Sequence, residues 1–432
     1  MPINDISRLS PESISDTFGK ALAGSIISGD DTAAVFIDLT FLKKRAKSLQ
    51  ALFGENCIHT MAIKANPLVT ILGVFRDLGF GAEAASLPEL YIARAAGIRA
   101  SNTIFDSPVK TIAELQYAIN TKMHINSDSL AELERIDRIR GAANSRSTFG
   151  LRINPQVGAG RIKMTSVAGE YSKFGVPLNQ YRAEIIEAYL RYPWLTGIHL
   201  HIGSQGIPLD LLVKGAELIF ELTKEINQRL AEKNKPNRIN IFDIGGGMPV
   251  TYRDDLPAPT IDEYVKALHA KIPQLFDGEY KLITEFGRYL NANCGWAISR
   301  VEYVKKQGDI NTALIHLGAD MFIRRCYNPD DWHHDILVID SNGKLKSGSE
   351  RKYVIAGPLC FAGDIIAHDI DLPEIEPGDY IVIRDVGAYT YSMWSRYNSR
   401  QMPIIVGYND NGHEFSILRK RESLDDIYRF WQ

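Results

Sequence analysis

Ile58-His-Thr-Met-Ala-Ile-Lys-Ala-Asn-Pro67 opens on an apolar run and closes on a lysine, an asparagine and a proline. The run reads as a β-strand, and Pro67 halts it, because the residue before a proline is pushed away from continued regular structure. Lys64 therefore sits at the end of a buried strand, where a parallel α/β fold opens to ligand. An amine held against apolar surface there loses solvation, so its neutral, nucleophilic form becomes accessible and can condense with an aldehyde or ketone. Alone, Lys64 reads first as a strand-end lysine whose head reaches water.

Working outward, strand-like runs recur at about 58–65, 79–86, 102–107, 123–127, 147–154, 195–203, 237–244 and 279–286. Amphipathic helical stretches separate them, at Val69–Leu78, Leu87–Ala96, Thr111–Asn120, Leu130–Arg140, Tyr181–Tyr192, Leu209–Glu232 and Thr260–Phe276. Strand alternating with helix implies parallel strands and right-handed crossovers. Eight strands point to a closed (β/α)8 TIM barrel, with a doubly wound sheet as the other option. Near residue 295 the texture changes to short alternating runs separated by turns, from Trp296–Lys306 to Glu414–Leu418, which predicts an all-β C-terminal domain. The expected division is 1–32 as an N-terminal segment packing with the β domain, 33–290 as the barrel and 291–432 as the β domain. The glycine-rich stretch from Pro155 to Asn179 is expected to be a functional loop at the barrel mouth.

Composition narrows the class. The 432 residues are 45% hydrophobic and 23% charged, as in an ordinary globular protein, and the net charge of −3 offers no footprint for nucleic acid or an anionic membrane. No stretch is long enough to span a bilayer and the N-terminus lacks an apolar signal region. The four cysteines, Cys57, Cys294, Cys326 and Cys360, match neither a disulfide framework nor a zinc pattern. A cytoplasmic setting and no metal are expected.

Barrel enzymes work at the C-terminal ends of their strands. Read in order, those ends give Lys64; Glu83 in Gly81-Ala-Glu-Ala-Ala-Ser86; Arg152 in Gly150-Leu-Arg-Ile-Asn-Pro155; His199 and His201 in Gly197-Ile-His-Leu-His-Ile-Gly-Ser204; Gly245, Gly246 and Gly247 in Asp243-Ile-Gly-Gly-Gly-Met-Pro249; and Glu285, Gly287 and Arg288 in Thr284-Glu-Phe-Gly-Arg-Tyr289. Three successive glycines let backbone N–H groups approach an anion. As a bare triplet they read first as a plain turn, but beside Arg288 they favour a phosphate. Glu285 can pair with a heterocyclic nitrogen or with a neighbouring cation. His201, nearer the mouth than His199, can lie over a planar ligand, although either histidine can be a satisfied core residue. Amine, phosphate cradle, carboxylate and imidazole together describe a site for pyridoxal 5′-phosphate (PLP).

These motifs resemble the fold-type III PLP decarboxylases, the family of ornithine, arginine and diaminopimelate decarboxylases, from Phe36 to about Ile417. The resemblance implies the alanine racemase/decarboxylase-like fold, with Lys64 carrying the cofactor and His201 stacked on its ring. Ser204, Gly245 to Gly247, Gly287 and Arg288 would hold the phosphate, and Glu285 would face the pyridine nitrogen. Glu83, where most relatives carry Asp, and Arg152 would line the phenolic side. Gly357-Pro-Leu-Cys-Phe-Ala-Gly-Asp364 resembles the segment whose cysteine, here Cys360, enters the partner subunit's site and protonates the product carbon. Gly387-Ala-Tyr389 resembles the segment whose tyrosine binds phosphate. The resemblance thus implies a homodimer with shared sites.

Ser392-Met-Trp-Ser-Arg-Tyr-Asn-Ser-Arg400 is most similar to the diaminopimelate branch, which implies that Arg288, Arg324 or Arg325, Tyr327 and Tyr389 bind the substrate. Two departures stand against that branch. Ile323-Arg-Arg-Cys-Tyr327 is one residue shorter than its pattern, and Phe361 replaces the acid that pairs with a distal ammonium, forfeiting about 1.5–3 kcal/mol. The expected reaction is decarboxylation of a diamino acid or of a carboxylated or conjugated amino acid. The alternatives are meso-diaminopimelate decarboxylation proper, a racemase on the same fold (against which Glu285 argues), a non-catalytic PLP carrier and a cofactor-free Schiff-base aldolase.

Overall fold

The computed structural model describes residues 7–28, 31–141 and 146–432, so the first six residues of the expected N-terminal segment 1–32, and residues 29–30, lie outside it. The chain divides into two compact units. One comprises Arg45–Pro249 and Ala258–Tyr289, and the other runs up to Lys44 and then takes in Val250–Pro257 and Leu290–Gln432.

The first unit is a closed parallel barrel. Its eight strands are Cys57–Ala62, Gly81–Ala84, Thr103–Asp106, His124–Ser127, Thr148–Asn154, Leu195–His199, Ile241–Asp243 and Lys281–Glu285. Each pairs in parallel with the next, and Leu282–Glu285 return to pair with Cys57–Thr60, which closes the ring. Helices follow where the apolar spacing places them, and several begin on side chains that satisfy their first free N–H groups. Thr111 with Glu114 and Thr260 with Glu263 form reciprocal caps, while Ser86 and Ser129 cap two others. Inside, Ile104, Ile241 and Ile283 pack together with Ile58. A polar layer is also present: His124 Nε2 meets Asn126 Oδ1 at 2.9 Å. It fits because Gly150 and Gly197 lack side chains; a Cβ on Gly150 would lie 2.4 Å from Asn126 Oδ1.

The second unit is a nine-stranded mixed sheet. The β-rich texture after residue 295 is there, with one further strand, Ile365–Pro373, and three helices, Pro11–Ala23, Ile323–Tyr327 and Leu424–Trp431. The boundary expected at residue 33 shifts. Ala33–Asp38 is an interior strand of this sheet, antiparallel to Gly295–Gln307 and parallel to Ile404–Asn409. Helix Pro11–Ala23 lies against it: Phe18 packs edge-on to Phe36, Trp296 and Tyr380, and Phe36 stacks on Trp296 at 4.1 Å. The residues before the barrel therefore bury their apolar face in the β unit.

Candidate active site

The first barrel strand stops at Ala62, and Ile63–Ala65 form a 3-10 turn, so Lys64 lies on that turn and not on the strand. Its amine is not held against apolar surface as expected. Nζ donates to Glu83 Oε2 at 2.7 Å, with the lysine side chain 40% exposed and Glu83 fully buried. Burial pushes the Glu83 carboxyl well above the usual carboxylate range, Lys64 pulls it back, and Glu285 and Asp106 raise it further.

The fifth strand brings Arg152 to Asp106 at the end of the third: Nη1 donates to Oδ2 at 2.9 Å, and the guanidinium lies over the Phe174 ring. Phe174 belongs to the Pro155–Asn179 segment, which is therefore tied to the strand ends. Burial alone would raise the Asp106 carboxyl, but Arg152 and then His199 hold it below the usual range.

The cradle is built from glycines. Gly245 has φ +65° and Gly247 φ +110°. A Cβ on Gly245, Gly246 or Gly247 would lie 2.5 Å from Leu200 O, 2.4 Å from Glu285 O or 2.7 Å from Gly203 O. A Cβ on Gly287 would meet Ala65 Cβ at 2.7 Å, so the eighth-strand turn can lie against the Lys64 turn only as glycine. Arg288 is buried, and its Nε donates to Ser204 Oγ at 3.1 Å. The Gly246 N–H donates to His201 Nδ1 at 3.1 Å. That nitrogen is therefore an acceptor, the ring is neutral, and burial followed by the Arg152 and Lys64 charges lowers His201 to about 3.

Behind the cradle, Glu285 is buried, and its Oε1 has no hydrogen-bond partner among the described residues. Its Oε2 lies 3.5 Å from His199 Nε2, while His199 Nδ1 lies 3.8 Å from Asp106 Oδ1. Although burial opposes it, the nearby His199 holds Glu285 below the usual carboxylate range. An orphaned buried carboxylate oxygen, a neutral imidazole, a backbone cradle with no room for a Cβ and a buried arginine fit a phosphorylated pyridine aldehyde. Asp106, Asn126 and His199 complete the setting; the motif reading does not single out the first two, and it names His199 without giving it a role. Asp106 was open to it, since it ends the third strand just before Ser107-Pro108.

The β unit holds the other expected residues. Asp364 accepts from Ala319 N and Leu359 N, each at 2.6 Å, and thereby pins the 357–364 loop. Cys360 is exposed, and both its backbone groups are held from one stretch. Its N–H donates to Asn398 Oδ1 at 2.8 Å, and its carbonyl accepts from Tyr397 OH at 3.1 Å. Phe361 stacks on Tyr327 at 5.5 Å and meets Tyr397 edge-on at 6.2 Å. Arg324 lies over the rings of Tyr389 and Trp332. Arg325, by contrast, donates to the carbonyls of Ile366, Pro329 and Trp332, which makes it a framework residue. Of the two arginines expected as alternatives, Arg324 is the one whose guanidinium lies over aromatic rings.

Residues 39–292 match the family model of the pyridoxal-dependent decarboxylases, pyridoxal binding domain. The chain is 30% identical to the diaminopimelate decarboxylase of Helicobacter pylori (strain J99), covering 88% of this chain and 90% of that one. It is 31% identical to the diaminopimelate decarboxylase of Vibrio cholerae over 85% and 84% of the two chains. Among solved structures, diaminopimelate decarboxylase from Helicobacter pylori complexed with L-lysine superposes with a TM-score of 0.82 at 27% identity, covering 95% and 99% of the respective chains.

Proposed function

The chain belongs to the pyridoxal-dependent decarboxylases and is a diaminopimelate decarboxylase-like, PLP-dependent carboxy-lyase; on that premise we propose that its substrate carries a distal carboxylate or a conjugated distal group in place of a free distal ammonium. The observation that carries this reading is Phe361, set beside Cys360 between the rings of Tyr327 and Tyr397. An ammonium against that surface would lose a charge-assisted hydrogen bond and its water together. Arg324 beside Tyr389 supplies a cation for an anionic far end.

When bound, PLP accepts the electron pair that the departing carboxylate leaves behind. The chain's own groups prepare that step. Lys64 holds the aldehyde end, and its amine must shed a proton to do so; Glu83 Oε2, at 2.7 Å and raised by burial, is placed to take it. His201, neutral and anchored by Gly246, would cover a ring face without adding charge. Glu285 Oε1 offers an acceptor to the ring nitrogen and so favours its protonated form. Ser204, Arg288 and the Gly245–Gly247 amides would hold the phosphate. Cys360 Sγ delivers the proton to the carbon that has lost its carboxylate.

Cys360, Tyr327 and Tyr397 are all exposed, a surface suited to burial by a second copy, so the working form is a homodimer with shared sites. No described helix is long and apolar enough to cross a membrane. meso-Diaminopimelate is the second reading, favoured by the relatives' activity. Carbon dioxide release from meso-diaminopimelate, L-ornithine, L-lysine and diamino acids conjugated at the distal amine through a carboxylated acyl group distinguishes the two. The conjugated acids should turn over fastest; a clear preference for meso-diaminopimelate would overturn the substrate assignment.

A further inference from the structure

His199 has no role in the chemistry above, yet it is fully buried among charges. Asp106 approaches Nδ1 from the third strand, and Glu285 approaches Nε2 from the eighth, at 3.8 and 3.5 Å. Asp243 on the seventh strand also acts on it; that carboxyl accepts from Asn126 Nδ2 at 3.0 Å and from the Gly245 N–H at 2.9 Å. Arg152 on the fifth strand neutralises the far oxygen of Asp106. His124 on the fourth strand is held neutral, lowered to about 4 by burial, and His201 is neutral in the layer above. Both His199 ring nitrogens lack a hydrogen bond among the described residues, as do Asp106 Oδ1 and Glu285 Oε1.

A neutral imidazole would leave two buried ring nitrogens unsatisfied between two carboxylates that repel one another. A charged ring is attracted to both, and its distances are those of ion pairs. We propose that His199 is a positioning residue: a buried imidazolium, clamped between Asp106 and Glu285, that keeps Glu285 an anion toward the cofactor's ring nitrogen. Without that charge Glu285 would share the fate of Glu83 and Asp243, whose carboxyls burial and mutual repulsion push upward. A protonated Glu285 no longer favours a protonated ring. Although burial opposes it, the three surrounding carboxylates raise the ring to about 9, so the clamp persists across the neutral range.

This inference rests on the cofactor assignment and is independent of which substrate is used. The test is nitrogen NMR of the full-length protein labelled with 15N-histidine, with the cofactor bound and after its removal, alongside His199→Gln and Glu285→Gln. The resonance missing from H199Q should show both ring nitrogens protonated at neutral pH, and in E285Q the same ring should lose its proton at lower pH. H199Q keeps a donor but loses the charge. Its kcat should fall about tenfold or more, with KM changing far less, and the visible band of the bound cofactor should shift with an altered pH profile. A His199 ring neutral at pH 7 overturns the proposal, as does H199Q with the parent's visible spectrum and pH profile. So does a stoichiometric divalent cation on Asp106, His199 and Glu285, whose ligand atoms lie within 4.8 Å of one another, because it would need the ring neutral. If H199Q fails to fold, the shift of one histidine in E285Q identifies the ring and the parent spectrum decides. Failure of the substrate reading would appear only in the turnover panel and leave these spectra unchanged.

Discussion

The barrel mouth and the Cys360 loop are built on opposite terms. In the barrel, Lys64, Glu83, Asp106, Arg152, His199 and Glu285 form a linked set of charges, nearly all buried, each positioned by another. In the β unit, Cys360 is exposed, its backbone is held by two hydrogen bonds, and its neighbours are aromatic. A buried charge network tolerates little change, because removing one member leaves its partner uncompensated. An exposed loop with aromatic walls can change what it accepts without disturbing the fold. On the reading proposed above, the barrel would hold the cofactor, and the β unit would supply the proton donor Cys360 and the walls that choose the substrate.

The harshest test of that division is Lys64→Ala, which should cost on the order of 10³-fold or more in turnover. Borohydride reduction of the parent followed by peptide mapping should place the cofactor label on Lys64 alone, and a label elsewhere would remove Lys64 from the chemistry. Next comes Cys360→Ala. It should slow turnover roughly 10²-fold while sparing carbon dioxide release more than correct protonation of the product, read by product analysis in D2O. Unchanged turnover and product identity would end the role of Cys360 as proton donor. Phe361→Glu sharpens the comparison from the other side. Restoring an acceptor should improve kcat/KM for meso-diaminopimelate or L-ornithine relative to the conjugated acids by about ten- to hundredfold, the worth of one charge-assisted hydrogen bond. Asn398→Ala releases the Cys360 N–H and should cost about 1 kcal/mol of local order, seen as a lower kcat with thermal stability nearly unchanged.

The smallest effect concerns pH. Burial lowers His59 and His124 to about 4 from an ordinary value near 6.5. The unfolded chain binds their protons first, so the stability of the neutral rings is intact above about pH 6.5 and is lost as pH falls toward about 4. Glu83 works in the opposite sense as pH rises above its ordinary value, so the informative quantity is the difference between parent and His124→Gln. Melting temperatures should fall by a few degrees less in the variant than in the parent over that acid window.

Much of this was written in the chain because a parallel barrel strand ends at one place only. A charge there is either solvated at the mouth or paired with another strand's end, which is why Lys64, Glu83, Arg152, Glu285 and Arg288 stand out. The same rule applied to the third strand finds Asp106, hidden only because one acid after three residues of strand is an ordinary sight. His199 stands out in the sequence but without a role, for a different reason. It alternates in step with His201, and nothing in an alternating pattern says which of two residues on one face meets carboxylates from other strands. Asn398 lies in the Ser392–Arg400 stretch that carries the resemblance, but nothing local gives its role, since its partner is a backbone N–H in another loop. The strand Ile365–Pro373 was masked by His368-Asp369 and Asp371 on its exposed positions. The placement of Ala33–Asp38 depended on pairing with residues far along the chain, which local patterns do not encode.

That early strand has a kinetic consequence. Phe36 sits between Trp296 and Val406, which emerge from the ribosome only after the whole barrel has been made. Until then this short apolar strand waits with both edges open, so nascent chains should lean on chaperones at that stage, and closure of the β unit's sheet should be the slow phase of refolding.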